Sequence, residues 1–179
     1  MYGTNNVGPT IAAFGTDDQK VHLAAILSGD EFWCQGFSEP DFGSDVAGVK
    51  VTATRGEVDG AEGWLVNGVK TWCTFAARAD VLMLLARTDP DRSKTHRGLS
   101  LFIVPKPRGD GHGFAFTDDR GGKLEGRPID TLGYRGMHSY ELAFDNWFVP
   151  TANLIGEASG EGRGFYYQMA GFENGRLQT

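Results

Sequence analysis

Hydrophobic positions change their spacing twice along the chain. Between residues 16 and 29 they recur at helical spacing, after a capping box formed by Thr16 and Gln19 and before Gly29, a residue type that commonly ends helices. From residue 31 to residue 148 they fall into short runs bounded by turn residues, a pattern typical of strands. A final helix is predicted where apolar residues return to i, i+4 and i+7 spacing, at Phe165, Met169 and Phe172.

The middle of the chain is predicted to fold as an antiparallel β-barrel or sandwich. Asp59-Gly60 and Asn67-Gly68 are each predicted to be turns between paired strands. The continuous apolar runs at 81–86 and 99–104 indicate buried strands. The predicted strands cover residues 31–37, 49–58, 64–66, 69–75, 81–86, 99–104, 113–117 and 139–148.

Two segments carry no regular alternation. Residues 1–12 show no clear periodicity, so no element is predicted there. Residues 107–127 are rich in glycine and charge, and they are predicted to hold one strand, at 113–117, and a mobile loop. The chain as a whole is therefore predicted to be mainly β, with helical segments near its two ends.

Composition and charge narrow the classes of function. With 179 residues and 40% hydrophobic side chains, the chain is long enough for one packed domain with fragments of its neighbours. Its 17 basic and 23 acidic residues give a net charge of −6. That balance argues against a general nucleic-acid-binding protein.

Cysteine usage and the length of the apolar runs indicate the compartment. Cys34 and Cys73 both lie in apolar, strand-like runs, which favours reduced, buried thiols over a secreted disulfide scaffold. No apolar run is long enough for a membrane span, and no signal peptide is recognised at the N-terminus. We therefore expect a cytoplasmic protein. The four histidines are scattered without metal-ligand spacing, so no metal site is predicted.

Two short motifs carry candidate chemistry. The first is the polar turn Phe37-Ser38-Glu39-Pro40-Asp41-Phe42-Gly43-Ser44-Asp45, whose successive amides and hydroxyls can surround an anion or the polar edge of a cofactor. The second is Asn67-Gly68-Val69-Lys70-Thr71-Trp72-Cys73-Thr74, in which strand alternation places Trp72 and Thr74 on one face. A flat ring beside a hydroxyl suits a planar, hydrogen-bonding heterocycle. The residues alone leave open that the turn is structural and that Trp72 is a core side chain.

These motifs resemble those of the acyl-CoA dehydrogenase family. The similarity covers nearly the whole chain, but only the middle of such an enzyme. It implies the end of an N-terminal helical domain in residues 1–30, a central β-domain in residues 31–155, and a linker with the start of a C-terminal helical domain in residues 156–179. In family order, it continues through Ala86-Arg87-Thr88-Asp89-Pro90, Gly98-Leu99-Ser100-Leu101-Phe102-Ile103-Val104, Leu142-Ala143-Phe144-Asp145 and Val149-Pro150-Thr151-Ala152-Asn153-Leu154-Ile155-Gly156-Glu157.

The resemblance also implies which residues bind FAD and acyl-CoA. Ser38 and Thr74 would hydrogen-bond the flavin ring, Trp72 would pack against it, and Ser44 would lie near the pyrophosphate and the bound CoA. Phe42 departs from the family, which usually has a small residue at that position. The implied FAD contacts are Gln35, Phe37, Ser38, Ser44, Trp72, Cys73 and Thr74. The implied acyl-CoA contacts are Ser44, Glu173 and Arg176.

The implied activity is α,β-dehydrogenation of an acyl-CoA thioester with transfer of the β-hydride to FAD. Proton abstraction beside a thioester needs a carboxylate base, but Gly175 stands just before Arg176, where one branch of the family carries that base. We therefore assign no catalytic residue and expect the chain to be inactive on its own. An electron-transfer partner for the reduced flavin and a homo-oligomeric full-length enzyme are also expected.

Two alternative functions are compatible with the same sequence. A flavin oxidase or monooxygenase of the same superfamily would keep the fold and change the chemistry, and the oxygen reactivity of the reduced flavin would distinguish it. A non-catalytic β-domain that binds a partner through its exposed faces is the other alternative. Loss of flavin binding on replacement of Trp72 and Thr74 would exclude that second alternative.

Overall fold

An eight-stranded mixed β-sheet, curled into a half-barrel, forms most of the protein. The computed structural model describes residues 3–109, 112–133 and 136–176, with side chains as far as residue 173. The strands are β1 (Trp33–Gly36), β2 (Thr52–Val58), β3 (Ala61–Thr74), β4 (Val81–Arg87), β5 (Leu99–Pro105), β6 (Phe114–Thr117), β7 (Lys123–Pro128) and β8 (Ser139–Pro150). Their order in the sheet is β1-β4-β2-β3-β8-β7-β6, and β5 pairs with β4 outside that path.

Strand directions differ from the predicted antiparallel barrel or sandwich. The mainly β class is confirmed, but β1 and β4 are parallel, with Trp33 opposite Val81 and Gly36 opposite Leu84. The β2–β3 hairpin lies between β1 and β4 in the chain, so β4 returns beside β1 in the same direction. The remaining long pairings, including β4 with β5 and β3 with β8, are antiparallel.

Helices lie before and after the sheet. The predicted helix between residues 16 and 29 is confirmed as two short helices, which meet at Val21. The helical segment before it was not predicted, because its buried apolar residues, Val7 and Ile11, are too few to produce a visible stripe. No described helix is long and apolar enough to cross a membrane. The α-helices are α1 (Gly8–Phe14), α2 (Asp17–Lys20), α3 (His22–Ser28) and α4 (Gly164–Arg176), with a π-helical turn at Gly3–Val7 and 3-10 helices at Val46–Gly48, Arg92–Gly98, Thr151–Asn153 and Glu157–Gly160.

Gln19 caps α2 and also attaches it to the sheet. The predicted capping box is confirmed, because the Gln19 amide N–H donates to the Thr16 hydroxyl and the Thr16 amide N–H donates to Gln19 Oε1. The buried Gln19 Nε2 donates to the carbonyl oxygens of Ala152 and Leu154, at 2.8 and 2.7 Å. The Gln19 side chain thus pairs a backbone N–H at the start of α2 and also docks that helix beside the end of β8.

The Asn67-Gly68 pair lies inside a strand, so the hairpin predicted there is wrong. β3 runs without interruption from Ala61 to Thr74, and the hairpin turn at Asp59-Gly60 is the one that exists. Asn67 Oδ1 accepts a hydrogen bond of 2.9 Å from the Asn146 amide of β8. Gly68 has a φ of 126°, at an irregularity in the β3–β8 pairing. Because this dipeptide pairs with β8, its permissive backbone forms a bulge in place of a turn.

The segment 107–127 contains a β6–β7 hairpin in place of one strand and a mobile loop. β6 lies within the predicted strand, whereas β7 was not predicted. In β7 exposed charged residues alternate with the buried Leu124 and Gly126, and glycine gives no apolar signal. The Lys106 ammonium lies 5.1 Å from the centre of the Phe114 ring and donates to the carbonyl of Ala79, so it fixes the start of this segment.

β4 separates the two hydrophobic clusters of the protein. Its alternate side chains point to opposite faces, and every residue of the strand is buried, which confirms the prediction of a buried strand. Val81, Met83 and Leu85 pack towards the helices, and Leu82, Leu84 and Ala86 pack into the cluster enclosed by β2, β3 and β8. On the helix side, the Phe172 ring of α4 lies edge-on to Phe37, with ring centroids 5.6 Å apart.

The close approach of α4 to β5 depends on a glycine. A Cβ at Gly164 would lie 2.4 Å from the Ser100 carbonyl carbon and 2.5 Å from the Leu101 nitrogen. We therefore predict that Gly164→Ala lowers the free energy of unfolding by about 1–3 kcal/mol, because the helix must move away from the sheet. Gly133→Ala is the matched control, since a Cβ there meets no atom within 4 Å. Equal urea midpoints for the two variants would contradict this prediction.

Candidate functional site

A cavity of about 420 Å³ opens between the two sequence motifs and α4. The turn contributes Ser38, Gly43 and Ser44, and β3 contributes Thr71 and Trp72. The strand β1 leads into the turn and adds Gln35 and, just beyond it, Phe37. The predicted apolar face of α4 forms the opposite wall, with Phe165, Met169 and Phe172. Five of the residues predicted to bind FAD therefore line one cavity: Gln35, Phe37, Ser38, Ser44 and Trp72.

Trp72 stands at this cavity in an unusual backbone conformation. Its φ is 57°, in the left-handed region that bulky residues rarely adopt, and its side chain is 58% exposed. Between Lys70 and Cys73, β3 contributes one more residue to the pairing than β8, so the strand bulges at this point. An exposed indole on strained backbone is typical of a functional position. Trp72 is therefore not a core side chain.

A buried ion pair joins the turn to the strand. Lys70 Nζ donates to Glu39 Oε1 at 2.8 Å and to the Phe37 carbonyl at 3.0 Å, and both side chains are buried. The Glu39 carboxylate also accepts from the backbone amides of Lys50 and Val51, at 2.7 and 2.9 Å. Burial lowers the pKa of Lys70, and the neighbouring Glu39 carboxylate opposes that shift.

The backbone of the turn is also bonded directly to β3. The Thr71 amide donates to the Ser38 carbonyl at 2.8 Å, which fixes Ser38 next to the bulge that carries Trp72. Within the turn, Glu39 and Phe42 exchange two backbone hydrogen bonds, of 2.9 and 3.0 Å. Phe42, the departure from the family pattern, keeps its ring against the same loop, 4.9 Å from the Lys50 ammonium. A phenylalanine at that position is therefore compatible with a closed, well-ordered turn.

The ion pair was not identified in the sequence analysis. Lys70 and Glu39 are 31 residues apart, and each belongs to a motif with polar neighbours. Strand alternation would place Lys70 on the same face as the exposed Trp72, so it gave no signal that this lysine is buried. A lysine there needs a buried partner, and a carboxylate from the other motif supplies it.

Thr74 and Cys73 do not line the cavity. Cys73 is completely buried in the core, and Thr74 is buried with its hydroxyl 2.9 Å from the hydroxyl of Ser139 on β8. The common face of Trp72 and Thr74 stays a prediction: Cys73 between them points into the core, and the bulge lies before Cys73. A direct contact of Thr74 or Cys73 with a cofactor stays a prediction.

The two residues predicted on α4 are not part of the described cavity wall. Glu173 is exposed and does not line the cavity, and the side chain of Arg176 lies outside the described residues. Gln168, which the sequence analysis did not identify, does line it. The signal for Gln168 was an amide between the apolar residues of the helix face. Within the described part of the chain, no cluster of three or more histidine, cysteine, aspartate or glutamate residues could hold a metal ion.

The cavity suits a planar ring with hydrogen-bonding edges. It presents an exposed indole for stacking and the Ser38 side chain beside it, with apolar side chains from α4 on the opposite wall. A family model described as "Acyl-CoA dehydrogenase, middle domain" matches residues 34–147, which include both motifs. The chain belongs to the acyl-CoA dehydrogenase family.

Several known proteins are similar to this chain over most of its length. It is 43% identical over 167 residues to (2S)-methylsuccinyl-CoA dehydrogenase of Cereibacter sphaeroides, covering 92% of this chain and 28% of that protein. The solved acyl-CoA dehydrogenase from Geobacillus kaustophilus is similar with a TM-score of 0.79 and 30% identity, over 98% of this chain and 42% of that one. A chain from a structure described as the electron transferring flavoprotein of Acidaminococcus fermentans has a TM-score of 0.75 and 29% identity, over 95% and 40%.

This acyl-CoA dehydrogenase family member thus spans less than half of each of those three proteins. The matched region contains the cavity, the buried ion pair and the β3 bulge. Family membership therefore accounts for the joint appearance of the two motifs, whereas the activity of the whole protein is a separate question.

The two buried cysteines behind this site give a pH prediction. Burial raises the pKa of the Cys34 thiol from 9.0 to about 12, although the Lys106 ammonium lowers it, and burial also raises the pKa of Cys73. The native thiol keeps its proton where the unfolded chain loses it. The native state thus binds more protons, and its stability falls as pH rises from 9.0 towards about 12, by up to about 1.4 kcal/mol per pH unit for Cys34.

We predict that Cys34→Ala removes this part of the alkaline loss of stability. Urea unfolding at about pH 8 and about pH 10.5 measures it, as the difference between the native sequence and the variant at each pH. The free energy of unfolding of the native sequence should fall relative to that of the variant at the higher pH. A difference that does not change with pH would contradict the assigned protonation of Cys34.

Proposed function

We propose that this chain is the flavin- and substrate-binding region of an FAD-dependent acyl-CoA dehydrogenase. The reaction would remove the α-proton and the β-hydride of an acyl-CoA thioester and leave an α,β-unsaturated thioester. The observation that carries the proposal is Trp72, an exposed indole on strained backbone beside Ser38, at the cavity of a middle domain of this family. An exposed aromatic side chain on a strained backbone otherwise lowers the stability of a fold.

The residues that would hold FAD come from both motifs. The Trp72 indole would stack on the flavin, and the Ser38 hydroxyl would hydrogen-bond one polar edge of the ring. Thr74, positioned by the Ser139 hydroxyl, would reach the ring from β3, and Ser44 would face the pyrophosphate. When bound, FAD would supply the two-electron acceptor that protein side chains lack.

The substrate would enter between the flavin and α4. The apolar side chains of Phe165, Met169 and Phe172 would exclude water from the acyl group. Glu173 and Arg176 would contact the CoA ester at the other end of the helix. We assign no catalytic base to this chain, since Glu173 is exposed and none of the described residues that line the cavity is a carboxylate. The base would come from another part of the whole protein, so the chain alone would be inactive.

The proposal extends to the electron acceptor, the oligomeric state and the location of the whole protein. Reduced flavin must be reoxidised, so the whole protein would deliver electrons to an electron-transfer partner. We also propose a homo-oligomeric whole protein. A cytoplasmic location agrees with the two free, buried cysteines.

Replacing Trp72 tests the proposed flavin site. We predict that Trp72→Ala in the whole protein raises the FAD dissociation constant about tenfold or more, because stacking on an aromatic ring contributes about 1–3 kcal/mol. Fluorescence titration of the apoprotein with FAD measures this constant. Phe32→Ala is the matched control, because it removes an aromatic ring that is 42% exposed and lies outside the cavity.

An FAD affinity that Trp72→Ala leaves unchanged would contradict the site. Formation of an enoyl-CoA from an acyl-CoA, with an artificial electron acceptor, tests the reaction itself. Fast oxidation of the reduced flavin by oxygen in place of that acceptor would indicate an oxidase.

A further inference from the structure

Arginines without a carboxylate partner gather beside the cavity. Within the described residues, four arginines that form no ion pair lie around the 3-10 segment Arg92–Gly98. These four, the arginine cluster, are Arg87, Arg92, Arg97 and Arg163. The chain carries 23 acidic against 17 basic residues, so a group of unpaired cations is unexpected in it. The cluster therefore suits an anion that the chain itself does not supply.

The carboxylates nearest to the cluster along the chain are engaged by other groups. Asp89 pairs with Lys94 at 2.5 Å, Glu161 pairs with Arg55 at 2.5 Å, and Asp91 accepts from the Ser93 amide at 3.0 Å. The cluster therefore keeps a net positive charge.

Arg87 fixes the shape of the segment that carries the cluster. It is 6% exposed, and its guanidinium donates to the carbonyl oxygens of Val49, Thr95 and Ala47, at 3.3, 3.2 and 3.2 Å. Thr95 has a φ of 45°, in a region that β-branched residues rarely adopt. A strained residue that is held by a buried guanidinium gives the segment one defined shape.

The charges of the cluster lie close to one another. Burial lowers the pKa of Arg87, and the Arg92 cation lowers it further. A Cβ at Gly162 would lie 2.6 Å from the Arg97 carbonyl oxygen, so the chain that leads into Arg163 passes directly against Arg97. The side chains of Arg92, Arg97 and Arg163 are exposed. Because like charges repel, an anion bound beside these arginines would stabilise the arrangement.

The cluster borders the cavity on two sides. His96, in the same segment, has its ring centroid 5.3 Å from that of Phe165, which lines the cavity at the start of α4. On the other side, Arg87 holds Ala47, the residue directly after the cavity-lining Val46. A ligand that leaves the cavity between the start of α4 and the polar turn would therefore meet the cluster.

A phosphate group is the anion that fits these side chains. The guanidinium fork binds phosphate oxygens in pairs and stays charged at every physiological pH. In an acyl-CoA thioester, the pantetheine arm separates the phosphates from the thioester. The phosphates can thus lie at the start of α4 while the thioester lies near the other end of that helix, where Glu173 and Arg176 are proposed to contact it.

We propose that the arginine cluster binds the 3′-phosphate at the nucleotide end of the acyl-CoA substrate. This inference rests on the proposed function and adds a specificity determinant to it, because thioesters that lack the 3′-phosphate would bind less well. Arg92, Arg97 and Arg163 would contact the phosphate. Arg87 is a positioning residue, which holds the segment through carbonyl groups.

The test compares two thioesters on the whole flavoprotein: an acyl-CoA and the acyl-dephospho-CoA that differs from it only by the missing 3′-phosphate. We expect kcat/KM to favour the acyl-CoA about tenfold, which corresponds to about 1.4 kcal/mol. Arg92→Gln and Arg97→Gln should each reduce that preference about threefold, and the double variant should remove it. Arg127→Gln is the matched control, because it removes the same charge from an exposed arginine of β7 that pairs with Glu125.

Calorimetric titration with nucleotides supplies a readout that does not depend on turnover. Adenosine 3′,5′-bisphosphate should bind the whole protein about tenfold more tightly than adenosine 5′-monophosphate, and the double variant should bind both equally. Equal affinity of the native protein for the two nucleotides would contradict the proposed site.

The outcomes separate this site from the proposed function. Equal kcat/KM for the two thioesters would overturn the phosphate site and leave the dehydrogenase function intact. A preference that survives in the double variant would mean that another part of the protein binds the phosphate, and it would also overturn the site. Absence of turnover with every acyl-CoA would overturn the proposed function itself, whereas the nucleotide titration would still decide whether the cluster binds a 3′-phosphate.

Discussion

Lys70 carries an ammonium group into the interior, and the rest of the site depends on how that charge is compensated. Glu39 provides the countercharge, and the same carboxylate accepts hydrogen bonds from the backbone amides of the two residues just before β2. Removing one partner of a buried pair leaves an uncompensated charge, which typically costs about 3–5 kcal/mol. The pair therefore specifies one arrangement in which the turn must lie against β3. The hydrogen bond from Thr71 to Ser38 then sets the register of the two motifs.

The strain at Trp72 is supported by that arrangement. β3 is paired with β8 on both sides of the bulge, so the left-handed residue is held by regular structure before and after it. Lys70 lies buried two positions before Trp72, and Cys73 lies buried directly after it. A bulge anchored on both sides turns one large side chain out of the sheet and towards the cavity. Rigid strands thus fix an exposed ring at the cavity, as preorganisation of a binding site requires.

Local patterns were sufficient for some parts of this fold. The continuous apolar runs identified β4 and β5, and the spacing of Phe165, Met169 and Phe172 identified α4. Positions whose structure depends on distant partners were not accessible in that way. Asn67-Gly68 has the composition of a turn, but its pairing with Asn146 makes it a bulge. The burial of Lys70 and the arginine cluster likewise appear only when distant segments are assembled.

The Glu39–Lys70 pair holds the turn against β3, and backbone hydrogen exchange tests this role without any ligand. The Thr71 and Val51 amides donate to the turn, and Leu84 in the middle of β4 reports on the core. Lys70→Met should accelerate exchange at Thr71 and Val51 about tenfold or more beyond any acceleration at Leu84, because the turn opens while the sheet stays paired. Equal acceleration at all three amides, or none at Thr71, would contradict the claim.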